Sequence, residues 1–480
     1  MKTRLSLLIL ILFASLSFAQ ETTSKKWTLQ ECVDYALENN IQVKQNELSI
    51  DLAEVNKKDA IGNFIPSLNL SGNHAWNSGL TTDVTTGVLR NQTTQTTFGG
   101  IDSRITLFNG LQNINQLRRA EMEILANRYQ VDKIKDDIAL FVINAYLDVL
   151  FNKEARNVAL PQLEVSREQL NRTNKLVEAG TLPKGDLYDI QATIANDEQN
   201  LVTTENNVKI SLISLAQLLQ LRTYDDFDIA DNEISTLPMV NLSDYTVEEI
   251  YEKALQNRNE IKVAQANIDI AEKDIEIAKG ARYPTLGGFY SWNSRYSNLD
   301  RIVGTEIDPD NPTVVTGQVE GTGQNVISPN FRAVTGSANS FSDQFDRNKG
   351  YSLGLTLQIP ILNGFRVSNN IKRAEINKEQ QEAQLTQVEL DLDRTINTVY
   401  TDARGALKLY EAAQKSVTAQ EESFRYAQEK YNVGIINSFE YSQIKNRLIQ
   451  AQSDFLRAKY EYIFRVKLLE FYYGVPITLD

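Results

Sequence analysis

The stretch Tyr351–Ile359 reads YSLGLTLQI and alternates between apolar and polar or small residues. One set of alternate side chains is apolar: Tyr351, Leu353, Leu355, Leu357 and Ile359. The intervening set is small or polar: Ser352, Gly354, Thr356 and Gln358. A period of two places the two sets on opposite faces of a β-strand. The stretch therefore predicts a strand with one fully apolar face.

Three further stretches alternate in the same way, and each has the length, about 9–11 residues, of a tilted strand that crosses a membrane. The four predicted strands cover residues 67–76, 99–108, 285–294 and 351–361. Four aromatic residues are candidates for the belt at the membrane–water interface: Trp76, Tyr290, Trp292 and Tyr351. The polar loops over 77–98 and 293–350 suit long extracellular loops.

The alternative interpretation of this alternation is a soluble sandwich of two hairpins. Four strands are too few to bury a core for a chain of 480 residues. In lipid a sheet has to be closed, because unpaired edges cannot be hydrated there. Single-chain barrels begin at about eight strands. Four membrane-crossing strands per chain therefore predict that several copies complete one barrel.

The strand at 351–361 is followed by a predicted helix of unusual length. No proline occurs from Gly364 to Tyr431, so at about 1.5 Å rise per residue the helix would be about 100 Å long. Apolar or small residues recur in alternating steps of three and four: Ile396, Val399, Ala403, Ala406, Tyr410, Ala413 and Val417. Such a period of 3.5 residues is typical of left-handed coiled coils.

This order of elements occurs twice in the chain. Ala36 recurs as Ala254 at a spacing of 218 residues, and Gly110 recurs as Gly364 at a spacing of 254. The spacing grows by 36 residues, which predicts an insertion after Leu286 in the second copy. The pattern therefore indicates a duplicated unit.

In the first copy the long helix is predicted over residues 111–177 and contains Pro161. Proline inside a helix removes a backbone donor and clashes with the preceding turn. The helix is therefore expected to kink or break at Pro161.

The duplication divides the chain into five predicted parts. These are a signal peptide (1–19), a first copy of the duplicated unit (20–221), an acidic linker (222–244), a second copy (245–475) and a C-terminal tail (476–480). The signal peptide is predicted because Lys2 and Arg4 precede an apolar run too short to span a bilayer. A small-x-small cleavage site then ends at Ala19.

The composition excludes several classes of function. The chain has 62 acidic and 49 basic residues and a net charge of −13, the wrong sign for a nucleic-acid binder. Cys32 and His74 are the only residues of their types, so neither a disulfide nor a zinc site of Cys and His is possible. A Ser-His-Asp set would depend on His74, in a predicted strand or loop. We therefore expect no enzyme activity, no cofactor, no metal and no nucleic-acid partner.

These features resemble the TolC-like outer membrane factor family, also called the outer membrane efflux protein family. The resemblance is carried by the opening WTLQECVDYAL (27–37), the strand exits LFNG (107–110) and ILNG (361–364), and two turns between long helices. It covers nearly all of the mature chain. It implies a mainly α protein with membrane β structure, in which four strands from each of three chains form a 12-stranded barrel. A periplasmic α-helical barrel would continue it.

The resemblance also implies a function. The protein would be a homotrimeric exit duct in the outer membrane of a Gram-negative bacterium, within a tripartite efflux or type I secretion system. Its partners would be outer membrane lipid, a periplasmic adaptor (membrane fusion) protein and an inner-membrane pump. The alternative is a periplasmic adaptor-like coiled-coil protein without a barrel. Adaptors carry one helical hairpin flanked by small β domains, so the duplicated unit argues against it. Drugs, metals and proteins all stay open as cargo.

The two turns between long helices are the candidate contact sites for the adaptor. The first contains Gly180 and Asp186, and the second contains Gly434 and Glu440. A glycine after a helix permits the left-handed conformation, and an acid in the next first turn favours the helix dipole. That structural account alone explains the four residues. The resemblance adds that these turns contact the adaptor.

The resemblance further implies a constriction at the tunnel mouth, with Tyr431, Ile436, Glu440 and Gln443 as its candidate residues. Glu440 matches an acidic position of the family. Gln443 replaces an acid, and Ile436 replaces a basic residue involved in holding the mouth shut. The mouth of this protein is therefore expected to have one acidic ring and to be closed by packing, with Tyr431 and Ile436, more than by salt links.

Overall fold

The computed structural model describes residues 26–82, 87, 89–222, 224, 226–230 and 246–475. The predicted signal peptide, most of the predicted linker and the predicted C-terminal tail lie outside these residues. The chain forms two compact units, which we call the helical unit (Met1–Glu54, Met122–Ile270 and Lys378–Asp480) and the strand unit (Val55–Glu121 and Ala271–Asn377).

The described residues form nine helices and ten strands. The helices are α1 (Leu29–Asn39), α2 (Ile41–Gly62), α3 (Gln112–Glu178), α4 (Lys184–Leu218), α5 (Val247–Asn257), α6 (Asn259–Gly280), α7 (Phe341–Arg347), α8 (Arg366–Asn432) and α9 (Ser438–Tyr473). The strands are β1 (Lys26–Trp27), β2 (Ser67–Thr82), β3 (Leu89–Asn109), β4 (Asp228–Ile229), β5 (Thr285–Ser297), β6 (Arg301–Ile307), β7 (Thr313–Gln318), β8 (Asn325–Pro329), β9 (Phe331–Gly336) and β10 (Gly350–Gln358).

The strand unit is built on a four-stranded antiparallel sheet in the order β10-β5-β3-β2. One row of directly opposed residues crosses the whole sheet: Leu70, Ile101, Trp292 and Tyr351. Because side chains alternate between faces, this row shares its face with other large apolar residues. We call this face the apolar face; it includes Leu68, Leu70, Ile101, Tyr290, Trp292, Tyr351, Leu353, Leu355 and Leu357.

The apolar face is open to the surroundings of the chain. Leu353 is 78% exposed and Leu355 is 69% exposed. The opposite face, the polar face, carries Asp102, Arg104, Ser291 and Thr356 among others. Among the described residues, β2 and β10 each pair along one side only, so the sheet has two free edges.

The strands differ in length from the predicted ones. β2 has 16 residues and β3 has 21, so most of the predicted loop over 77–98 is instead a continuation of this hairpin. β10 ends at Gln358, three residues before the predicted end. Pro360 explains the early end, because proline cannot donate a backbone hydrogen bond to a neighbouring strand.

The second copy carries additional structure between β5 and β10. β6 pairs with β9, and β7 pairs with β8, both antiparallel. The short helix α7 follows β9 and precedes β10. The sequence spacing predicts an insertion here but not its content.

The helical unit contains most of the hairpin of α3 and α4 and most of the hairpin of α8 and α9, whose first turns belong to the strand unit. α3 and α8 each have 67 residues, about 100 Å at the rise of an α-helix. α3 runs through Pro161 as one helix, so the expected break does not occur. Ala159 and Leu163 next to this proline are buried. Helical stability in proteins comes mostly from such packing, which accounts for a turn that persists without one donor. No helix in the described parts of the chain is long and apolar enough to cross a membrane.

Candidate functional site

The turn between α8 and α9 is a Schellman motif centred on Gly434. Gly434 has φ +76°, in the left-handed region. The Ile435 amide donates to the Lys430 carbonyl (2.9 Å), and the Gly434 amide donates to the Tyr431 carbonyl (3.1 Å). These bonds satisfy carbonyls that a helix end otherwise leaves unpaired.

The turn between α3 and α4 has the same geometry. Gly180 has φ +74°. The Thr181 amide donates to the Leu176 carbonyl (2.9 Å), and the Gly180 amide donates to the Val177 carbonyl (3.0 Å). A Cβ at either central glycine would meet no atom within 4 Å. A side chain at these glycines is therefore opposed by backbone strain and not by a clash.

The helices that leave the two turns begin differently. The Asn437 side chain caps α9 by accepting from the Glu440 amide (2.8 Å). At the start of α4, Pro183 provides no side-chain cap. Asp186 instead accepts a hydrogen bond from the buried Ser438 hydroxyl of the other hairpin, at 2.8 Å. Asp186 is thus both a residue of the first helical turn and a link between the hairpins.

The four candidate residues of the tunnel mouth lie in different environments. Tyr431 is buried, stacks on the ring of Tyr441 at 4.9 Å and places its hydroxyl 3.3 Å from the Thr173 hydroxyl. Ile436 is half-buried in the turn. Glu440 and Gln443 are exposed on α9. The structure therefore gives Tyr431 a packing role between hairpins and leaves the two side chains on α9 free to face other molecules.

Exposed apolar side chains surround the second turn. They are Val433, Ile435 and Phe439, each between 61% and 71% exposed. Tyr188, near the start of α4, is exposed as well. We call these four residues the tip patch. Large apolar side chains at the end of a hairpin are a feature of protein-binding surfaces.

A buried charge cluster joins the two hairpins beyond the turns. Lys445 on α9 is 0% exposed, and its ammonium lies 2.5 Å from a carboxylate oxygen of Asp197 on α4. It also donates to the Ser166 hydroxyl and to the Gln162 carbonyl (3.1 Å) on α3. The Ser166 hydroxyl donates to Asp197 at 2.6 Å. Desolvation lowers the pKa of Lys445, and Asp197 opposes that shift.

Sequence reasoning missed this cluster. At the spacing of 254 residues, Lys445 corresponds to the exposed Gln191, and Asp197 corresponds to the apolar Ala451. The sequence signal for this cluster is that the two copies have different residue types at both pairs of equivalent positions. These differences do not show that Lys445 and Asp197 meet, since the contact lies between helices from different repeats.

Tyr441 lies next to this cluster and is nearly fully buried. Its hydroxyl has no hydrogen-bond partner among the described residues. Desolvation by burial, with smaller contributions from Tyr431 and Asp197, raises the pKa of Tyr441 to about 12. This side chain is therefore uncharged throughout the neutral range.

The polar face of the sheet lines a cleft in the strand unit. The cleft has a volume of about 750 Å³ and includes Asp102, Arg104, Phe289, Ser291 and Thr356 in its lining. In a membrane β-barrel, each strand has an apolar face towards lipid and a polar face towards the water-filled interior. The charged and hydroxyl side chains of the polar face, opposite an apolar face, fit this arrangement.

Long helical hairpins and a sheet with one exposed apolar and one polar face define an outer membrane channel of the efflux type. The chain belongs to the outer membrane efflux protein family, because the sequence model of that family matches residues 32–220 and 250–474. The protein is therefore located in the outer membrane, with its helical part in the periplasm. The family, the fold of the single chain and the location predicted from the sequence are confirmed.

Individual relatives are distant in sequence. The chain is 21% identical to the outer membrane protein TolC of Salmonella enteritidis, over 92% of this chain and 81% of that protein. It is 22% identical to protein CyaE of Bordetella pertussis, over 72% of this chain and 62% of that protein, less than two thirds of its length. The crystal structure of the outer membrane protein VceC from Vibrio cholerae superposes with a TM-score of 0.67 at 13% identity, over 93% of this chain and 96% of that chain.

Proposed function

We propose that this protein is the trimeric exit duct of a tripartite efflux or type I secretion system. The open four-stranded sheet carries the proposal. Its free edges at β2 and β10 have unpaired backbone groups, which cannot stay unpaired in lipid. Pairing β10 of one chain with β2 of the next, in three copies, closes a barrel of twelve strands. The polar face then lines the lumen.

The assembly is tested by the mass of the protein in detergent. Light scattering with correction for bound detergent should give three chains per particle. A stable monomer would overturn the proposal. A matched pair of variants tests which face meets lipid. Leu355→Arg on the apolar face should lower stability by about 2–4 kcal/mol in bilayers, and Thr356→Arg on the polar face should have little effect.

The tip patch is the proposed contact with the periplasmic adaptor. It consists of exposed apolar side chains at the second turn and of the exposed Tyr188 near the start of α4, where a neighbouring protein can cover them. Ile435→Asp should weaken the retention of the adaptor encoded with this protein in a pull-down assay. Leu409→Asp, at an exposed apolar position of α8 away from the turns, is the control and should bind as the parent does. Equal binding by both variants would exclude the tip patch as the contact.

Transport through this duct involves no chemistry on the cargo. The family and the fold are those of transport channels, so we assign no enzymatic role to any residue. The energy for transport would come from an inner-membrane pump linked by the adaptor. Purified protein in planar bilayers should form ion-conducting pores, and the lack of conductance at any voltage would contradict a duct.

The processing and the division of the chain belong to the same proposal. The mature protein would begin at Gln20 and contain two efflux repeats, at 20–221 and 245–475, joined by the linker 222–244. Intact mass measurement of protein isolated from outer membranes tests whether the mature chain begins at Gln20. A mass that includes residues 1–19 would contradict it.

A further inference from the structure

The short helix α7 is fixed to the sheet by hydrogen bonds to β5. The Ser294 hydroxyl donates to the Phe345 carbonyl at 2.6 Å. The Gln344 side chain accepts from the Ser297 amide (3.0 Å) and donates to the Ser297 carbonyl (2.7 Å). The Asn348 side chain donates to the Arg295 carbonyl at 2.8 Å. The helix therefore has a defined position on the strand unit.

The register shows that α7 lies on the apolar face. Ser294 is opposite Gly99, and Trp292 is opposite Ile101. Since alternate residues share a face, Ser294 and Gly99 lie on the face of Trp292. A Cβ at Gly99 would lie only 2.7 Å from the Cζ atom of Phe345, so this ring rests directly on the glycine. α7 therefore covers the apolar face immediately beyond Trp292.

The helix is amphipathic in this position. Phe341 and Phe345 stack on each other at 5.1 Å. Phe341 also contacts Tyr296 (5.4 Å), and Phe345 contacts Trp292 (6.4 Å). The charged residues of the segment form two exposed ion pairs: Arg347 with Asp343 and Lys349 with Asp346, both at 2.7 Å. The two rings therefore pack towards the sheet, Phe341 while still 50% exposed, and the ion-paired side chains lie at the surface.

The position of α7 coincides with one end of the lipid-facing surface. On β10 and its extension, apolar side chains run from Ile359 to Tyr351, about 26 Å along an extended strand. With the usual strand tilt of about 35–45°, this corresponds to about 20 Å of bilayer thickness. Tyr351 lies opposite Trp292, the residue that Phe345 contacts. Tyr351 lies at the start of β10, whereas α8 follows the end of this strand in the chain. With the long helices in the periplasm, the Tyr351 end of the strand faces the outer leaflet.

We propose that α7 is a rim helix that fixes the outer boundary of lipid contact, with its charged side against the headgroup layer of the outer leaflet. The apolar face, which faces lipid in the outer membrane, continues up to the helix without a gap. A neighbouring chain is the less suitable occupant, because α7 lies over the two central strands β5 and β3, and the free edges are β2 and β10. The proposal needs the sheet to be in the membrane but does not depend on the number of chains.

The boundary can be measured with spin labels. Single cysteines replace Leu355, Tyr351 or Asp346 and carry a nitroxide in protein reconstituted into lipid vesicles. The native Cys32 does not compete, because it is fully buried and burial raises its pKa to about 12. Collision with oxygen reports lipid, and collision with a water-soluble nickel chelate reports headgroups and water.

The measured quantity is the ratio of oxygen accessibility to nickel-chelate accessibility of each label. This ratio should be high at Leu355→Cys, intermediate at Tyr351→Cys and low at Asp346→Cys. An oxygen preference at residue 346 would overturn the rim helix, since it would place α7 within the lipid. Inaccessibility of that label to both reagents would overturn it too, since another chain would then cover the helix. If the label at residue 355 is not in lipid, the proposed duct fails instead.

A second comparison tests whether the aromatic side holds the helix in place. Phe345→Ser in the Asp346→Cys background should narrow the electron paramagnetic resonance spectrum of the nitroxide. The label gains mobility because the Phe345 ring no longer packs on Gly99. Phe331→Ser, at an exposed phenylalanine of β9 in the same insertion, is the matched control and should leave the spectrum unchanged. An unchanged spectrum for Phe345→Ser would show that the ring does not fix α7 and would overturn the proposal.

Discussion

The two copies of the repeat build the same helical hairpin and turn, yet at one pair of equivalent positions on the returning helices the first copy has an exposed amide and the second a buried charge. Gly180 and Gly434 have φ angles of +74° and +76°. At the equivalent positions on the returning helices, Gln191 is exposed and Lys445 is buried. Duplication thus reproduces backbone geometry, which local sequence fixes. Contacts between the copies are free to become asymmetric, since each side of such a contact is a different residue.

The largest effect should come from breaking the buried ion pair. Lys445→Met leaves the Asp197 carboxylate buried without its partner, which should cost about 3–5 kcal/mol. Thermal unfolding of the helical signal in detergent should show a clear loss of stability. Gln191→Met, at the equivalent exposed position of the first copy, should have almost no effect.

The double variant Lys445→Met/Asp197→Leu separates charge from packing. Replacing a buried pair by apolar residues of similar volume is often neutral or stabilising. We therefore expect the double variant to recover most of the stability that Lys445→Met loses. If Lys445→Met and the double variant are equally destabilised, the loss of stability comes from altered packing of the cluster and not from an unpaired buried charge.

A smaller effect is expected at the two turn glycines. Valine at a left-handed position costs about 1–3 kcal/mol of backbone strain. Since both glycines have open space around the site of a Cβ, Gly180→Val and Gly434→Val should lose similar amounts of stability. Gly434→Val should in addition impair adaptor docking while the barrel stays assembled. Unchanged adaptor pull-down with Gly434→Val would remove the second turn from the docking surface.

The strands were predictable where lipid imposes a pattern. At Tyr351–Ile359 one face has to be apolar, so alternation identifies the strand. Beyond the lipid zone both faces of the β2–β3 hairpin carry polar side chains, with the pair Ser78 and Thr93 on one face and the neighbouring pair Asn77 and Thr94 on the other. No periodicity then distinguishes strand from loop, which is why most of the segment 77–98 was predicted to be a loop.

The tip was predictable only for features that depend on local sequence. The glycines follow from helix termination, and both turns have the predicted left-handed residue. The bond from Ser438 to Asp186 and the pair of Lys445 with Asp197 join residues about 250 positions apart. No local pattern encodes such contacts. The helix α7 was missed for another reason, since seven residues are too few to show a period.

The capping of the returning helices should give an effect of about 1 kcal/mol, and again in one copy only. Asn437→Ala removes the acceptor for the Glu440 amide and should cost about 0.5–2 kcal/mol. Pro183→Ala removes no side-chain hydrogen bond and should cost less. Hydrogen exchange of the first turns of α9 and α4 measures the two effects separately. Equal loss of protection in both helices would show that the Asn437 cap is not the cause of the difference.

The smallest structural effect, and the most specific functional one, is expected at Glu440. Its side chain is exposed in the first turn of α9, so Glu440→Gln should cost less than about 1 kcal/mol, the usual size of a charge–dipole interaction at a helix start. In the proposed trimer, three copies of this carboxylate form an acidic ring that attracts cations. Since Gln443 is neutral, no second ring follows one turn later, and the cation preference in planar bilayers should fall clearly with Glu440→Gln. Gln443→Glu should raise it by adding that ring. If ion selectivity is the same in both variants and the parent, Glu440 only favours the dipole at the start of α9 and the mouth has no acidic ring at this level.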